Sequence, residues 1–275
     1  MRNVHLGGKM TPIVIDKLFT TVLDLKYEII GIKFLNTEEE FQEEEAAEVN
    51  QAVRYCVMVK SASMGHAIKI RNNQFRCNGS GTSFGYWKTD EEYLSGRRPF
   101  KTGLHESVER SKDVVNNMYR LEGENYGMVI KPLRLFNDMP DSILIVTNPY
   151  SAMRISQGYT YKYGLKKDFN IAGNQAVCYE ATVVPLVEED MNISMLCAGT
   201  RHAAGWDDTD LIVGISGQKV EAILEGIIKT INTVEPDDKK KLIIEKNGSN
   251  KILDTTVTLE SAYFYSGTFV TNKKQ

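Results

Sequence analysis

The 275-residue chain has no apolar run near the ~20 residues that a membrane-spanning helix needs. Its first eight residues carry one Arg but no apolar stretch, so no secretory signal is expected. An excess of one charge is also missing. The 33 Lys and Arg against 36 Asp and Glu leave −3, which argues against nucleic acid or an anionic membrane as the main partner. Cysteine is sparse and scattered, at 56, 77, 178 and 197, which excludes a small disulfide scaffold. No Cys-x-x-Cys, Gly-x-Ser-x-Gly or His-Glu-x-x-His occurs, so local metal knuckles are absent and simple hydrolase assignments lack support. What remains is a cytoplasmic globular protein with reduced thiols, whose 42% hydrophobic share is enough for a sizeable core.

Periodicity then orders the chain. Residues 11–24 and 107–119 read as helices, and Ile29–Leu35, Ile68–Ile70, Met128–Ile130 and Ile143–Val146 as strands. The clearest helix is 218–232, where Val220, Ile223, Leu224, Ile227, Ile228 and Ile231 share one face. Thr37 followed by Glu40 is a capping-box pattern that opens a helix. The seven Glu within 38–48 read as a solvated helix face, with an acidic docking surface as the alternative. Asn73-Gln74-x-x-Cys77 recurs as Asn174-Gln175-x-x-Cys178, 101 residues on. Matching strand and helix signals upstream suggest two related strand–helix–strand units, about 26–85 and 140–185, with coincidence in short strings as the rival. Residues 239–275 hold seven Lys and three acids, so the balance divides into −7 for 1–238 and +4 for the tail. Leu242–Ile244, Asn247-Gly248 and Lys251–Leu253 predict a β-hairpin, and Tyr263–Tyr265 extends it. That β-rich extension would pack on the core or mediate a homo-oligomer.

Four thiolates are the usual complement of a soft metal or iron–sulfur site. Here only the fold can assemble them, and inert buried thiols are the plain alternative. Cys197, Arg201 and His202 share one short segment. A neighbouring cation favours the thiolate, so Cys197 with Arg201 is a candidate nucleophile, and His202 an auxiliary ligand or proton donor. A polar turn with Arg201 in a salt bridge explains the same residues. Gly79 and Gly81 follow Cys77 in a loop whose backbone N–H groups suit an anion, or which simply turns. Gln175 is a further candidate pocket residue. Asp207, Asp208 and Asp210 read as turn or cap residues.

Taken in order, Ile30–Phe34, Arg54-Tyr55-Cys56, Cys77 with Gly79, Gln175–Cys178 through Thr182–Pro185, and Asn192–Ser194 through Cys197–Arg201 resemble the domain-of-unknown-function 169 family over about residues 10–232. That family, found largely in anaerobic bacteria and archaea, has no assigned reaction. The resemblance implies a cytosolic protein and points to the same four cysteines. Members often have Pro where this chain has Asn78, and a second Cys where it has Thr200. The combined expectation is an α/β fold, with α+β as the alternative, comprising a family core, 1–238, and a hairpin tail, 239–275. The cysteines would hold a metal centre, iron–sulfur first and zinc second, through Cys56, Cys77, Cys178 and Cys197. The alternatives are a cysteine-dependent enzyme acting on a small anionic substrate and a non-catalytic small-molecule-binding or assembly protein.

Overall fold

The computed structural model describes residues 10–248, 253 and 257–259. Seven strands form one mixed sheet: β1 (Ile30–Leu35), β2 (Ala47–Glu48), β3 (Ile68–Arg71), β4 (Gly127–Pro132), β5 (Ser142–Thr147), β6 (Met191–Ser194) and β7 (Leu211–Ser216), in the order β2-β3-β4-β1-β5-β7-β6. All pairings are antiparallel except β2 with β3. The strand period of two divides the side chains between two cores. Ile143 and Ile145 of β5 and Val213 and Ile215 of β7 face one layer, while Leu144, Val146 and Ile212 face the other.

The first layer is built by α1 (Pro12–Leu23), with α8 (Pro149–Tyr163) and α11 (Val220–Val234) below. The six-residue stripe of α11 is at most 2% exposed, each side chain contributing about 1.5–3 kcal/mol over exposure. The second layer holds α3 (Tyr55–Ser63), a π-helix (Ala176–Val183) and α4 (Asn78–Ser83). The remaining helices are α2 (Glu38–Glu43), α5 (Glu91–Leu94), α6 (Arg97–Phe100), α7 (Val108–Asn117), α9 (Val184–Val187), α10 (Ala198–Ala204) and α12 (Asp237–Asn247). Among the described residues no helix is long and apolar enough to cross a membrane.

Several expectations meet the structure closely. Thr37 Oγ1 accepts the Glu40 N–H at 3.2 Å, although the Glu40 carboxylate returns to Asn36 N rather than to the cap residue itself. Two expectations change. Leu242–Ile244 lie in α12, not in a strand; Asn247 ends that helix and Gly248, at φ 63°, follows it. Positive φ serves a helix end as readily as a hairpin turn. The rest of the expected tail sheet, with its suggested oligomer contact, falls outside the described residues. The paired strand–helix–strand units also diverge. Phe169–Ile171 is not a strand, and α3 and α8 pack on opposite faces of the sheet. The second Asn-Gln-x-x-Cys runs into a helix, whereas the first runs through a single 3-10 turn (Asn72–Gln74) before α4.

Asp16 on α1 is 8% exposed, and its Oδ1 has no hydrogen-bond partner. Burial, then the Glu28 carboxylate, push its pKa up to about 6 against a partial offset from Arg134. A carboxyl raised in the folded state keeps its full stabilising share below its unfolded value, about 3.9, and loses it as pH rises through the folded value. Two units correspond to about 3 kcal/mol. Asp16→Asn is therefore expected to flatten the fall in stability between about pH 4 and about pH 6 and to leave the variant more stable at neutral pH. Urea melts at the two ends of that window check it; parallel pH profiles for variant and wild type would refute it.

Candidate functional site

The four cysteines, scattered along the sequence, line a single cavity of about 290 Å³. Each sits at the start of a different helix. Cys56 is the second residue of α3, and Cys77 and Cys197 are the N-cap residues of α4 and α10. Cys178 is the third residue of the π-helix. Four chain crossings thus deliver four thiols to one place, together with first-turn residues such as Gly79, Ser80, Gly199 and Thr200. Helix starts are where backbone N–H groups lack intrahelical acceptors.

The π-helix is fixed by tertiary bonds. Thr182 Oγ1 donates to Val177 O at 2.7 Å and meets the Tyr55 hydroxyl at 2.9 Å, while Asn192 Nδ2 donates to Glu180 O at 2.8 Å. Glu180, 1% exposed, accepts from Ala172 N and Gly173 N at 2.8 Å each and from Ser194 Oγ at 2.5 Å. Those bonds pin the wide helix to β6 and to the preceding loop, and with it Cys178. Widened turns of this kind often mark functional sites.

Cys178 is 7% exposed, and its thiol donates to Gln175 O at 3.5 Å. Burial pushes the Cys56 and Cys178 thiols up, and the nearby Cys77 and Cys197 push both further. Cys56 and Cys178 therefore each lie within electrostatic reach of Cys77 and Cys197 and of one another. Cys197 Sγ is 3.2 Å from Thr200 Oγ1. Among the described residues, no group of three or more His, Cys, Asp or Glu side chains has the arrangement to hold one metal ion.

The opposite wall comes from α5, α6, α7 and the loops between them, through Tyr93, Arg98, Leu104, His105 and Met118 among others. Among the described residues the lining contains no carboxylate. Gln175, in the left-handed region at φ 51°, bridges the two walls: its Oε1 accepts from Ser83 Oγ at 3.0 Å and its Nε2 donates to Tyr93 OH at 3.3 Å. A Cβ on Gly79 would stand 3.0 Å from the Gln175 side chain. Gly79 and Gln175 thus belong to the cavity as expected.

Gly81, Arg201 and His202 do not line it. Gly81 packs beneath the Trp87 indole, which a Cβ would meet at 2.6 Å. The Arg201 guanidinium donates to the carbonyls of Asp207, Met195 and Asp210, closing the loop around α10. His202 is exposed. Asp210 accepts from Asp207 N at 3.0 Å, the turn role expected for that acidic group. Arg54, Arg98 and His105 are cavity residues that the sequence reasoning did not select. Arg54 adjoins Cys56 in sequence, a usable signal, whereas nothing local marks His105.

A family model, described as that of uncharacterised ArCR proteins, matches residues 19–226. The chain belongs to the DUF169 family. The match spans every strand and all four cysteines, so the DUF169 portion contains the whole thiol cavity. An uncharacterised protein of Methanocaldococcus jannaschii is 25% identical over 200 residues, covering 72% of this chain and 85% of that protein. No solved structure matches the chain.

Proposed function

We propose that this DUF169 protein binds a metal cofactor through Cys56, Cys77, Cys178 and Cys197, with an iron–sulfur cluster favoured over zinc. The observation that carries the reading is the convergence of four distant thiols on one cavity that no carboxylate lines among the described residues. Soft thiolates favour iron–sulfur clusters and zinc over hard cations. A tetrahedral zinc site needs its sulfurs about 3.8 Å apart, from Zn–S bonds of ~2.3 Å. A cubane cluster binds each thiolate to a different iron and spaces the sulfurs more widely. Four thiolates suit either group chemically, and assay of iron, zinc and acid-labile sulfide separates the two. Bound to a metal, the thiols would be deprotonated, and Arg54 and Arg98 would offset the anionic charge.

Anaerobic purification, followed by reconstitution with ferrous iron and sulfide, tests the proposal. A coloured protein containing iron and acid-labile sulfide is expected, and Cys56→Ser or Cys178→Ser should each lose most of the iron. Because burial holds those two thiols protonated, uptake should tighten as pH is raised, metal displacing the protons. A colourless chain free of iron and zinc after reconstitution would overturn the reading.

A further inference from the structure

Beyond the thiols, the cavity continues between Tyr93, Pro99, Leu104, Val115 and Met118, a largely apolar chamber. Its charged groups are all basic. Arg98 is paired with Asp90, but the Arg54 side chain has no hydrogen bond or ion pair among the described residues, and the His105 imidazole likewise has none. A second, independent feature lies in the wall. Asn174 Oδ1 is buried and has no hydrogen-bond partner. A buried orphan acceptor costs about 1–3 kcal/mol unless something satisfies it; Asn174 lines the cavity wall, so a donor on a bound molecule could satisfy the amide oxygen once the side chain turns toward it.

We infer that the cavity binds, beside the thiols, a small organic anion whose carboxylate or phosphate group pairs with Arg54 and whose hydroxyl or amino group donates to Asn174. Its apolar body occupies the chamber between Leu104 and Met118, and Gln175, held by Ser83 and Tyr93, bounds its position. A guanidinium fork recognises either oxyanion through paired N–H donors. Among the described residues no lining carboxylate opposes it by repulsion. The inference rests on the same cavity as the metal reading but needs only that the thiols face it.

The test uses the full chain after chelation, with two reagents of nearly equal size, iodoacetate and iodoacetamide. In both reactions an S–C bond forms as the C–I bond breaks, iodide leaves, and the thiol proton passes to buffer. Differences in thiol reactivity therefore cancel in the ratio of the two rates, which reports charge recognition. At the half-buried Cys77 and Cys197, followed by peptide mass mapping, the iodoacetate-to-iodoacetamide ratio should exceed that of an unhindered cysteine peptide by roughly five- to tenfold. Arg54→Ala should abolish the excess, whereas Arg97→Ala, on α6 but outside the cavity, should leave it intact. Propionate should protect the thiols saturably and propionamide should not. A ratio equal to that of the peptide, an excess that survives Arg54→Ala, or equal protection by the two competitors would overturn the inference. A chain that takes up neither iron nor zinc on reconstitution yet shows the preference refutes the metal reading alone. A chain that binds iron yet shows no preference once stripped refutes the anion subsite alone.

Discussion

Arg154→Leu is expected to cost about 3–5 kcal/mol, a large part of the ~5–15 kcal/mol that holds a typical domain folded. Arg154 of α8 is 1% exposed, and its partner Glu235, at the end of α11, is 2% exposed. The guanidinium donates from Nε to Glu235 Oε1 at 2.5 Å, from Nη1 to Gln157 Oε1 at 2.6 Å and Thr230 Oγ1 at 3.0 Å, and from Nη2 to Ile227 O at 3.0 Å. Removing it leaves a desolvated carboxylate whose main remaining donor is the Tyr150 hydroxyl. The double variant Arg154→Leu/Glu235→Leu should recover most of the loss, because no orphaned charge then remains. Denaturant melts of the wild type, both single variants and the double variant decide this. A single variant within about 1 kcal/mol of wild type would show that the pair does not secure α8 to α11. Since α8 and α11 pack on the sheet face opposite the thiols, the surviving folded fraction should label at cysteine as the wild type does.

Gly214→Ala should damage both stability and site. Gly214 lies inside β7, hydrogen-bonded between β5 and β6, where a Cβ would fall 1.9 Å from Ala181 O of the π-helix. The strand cannot retreat without breaking two ladders, so the helix must lift. Overpacking of this kind costs about 1–3 kcal/mol. Lifting the helix should also expose Cys178, the most buried of the four thiols. Faster alkylation of Cys178 at a denaturant concentration well below the melt is the expected signature. Unchanged protection of Cys178 would mean that the clash is relieved elsewhere.

Much of the fold was legible because its signals are local. The stripe of α11, the alternation in β5 and the Thr37 cap each need only a few neighbouring residues. The π-helix was not legible, since its wide turns depend on bonds from Tyr55 and Asn192, which lie far away in sequence. Asn247-Gly248 misled because positive φ fits both a hairpin and a helix end. At the site, cysteine count and family resemblance singled out all four thiols, and the fold brings them to one cavity. Proximity in sequence misplaced Arg201. It stands one helical turn beyond Cys197, and its guanidinium finds three carbonyls on its own loop. His105 had no local mark at all, since only the packing of the α6–α7 connection over the thiols brings it in.

The distribution of the cysteines over four separate helix starts bears on biosynthesis. Cys56 leaves the ribosome 141 residues before Cys197, and Cys197 follows β6, which joins the sheet through β7. No partial chain short of β7 can present all four thiols in place. Any cofactor would then be inserted only after translation of the sheet is complete, and retention of the cofactor would report that the last strand has docked.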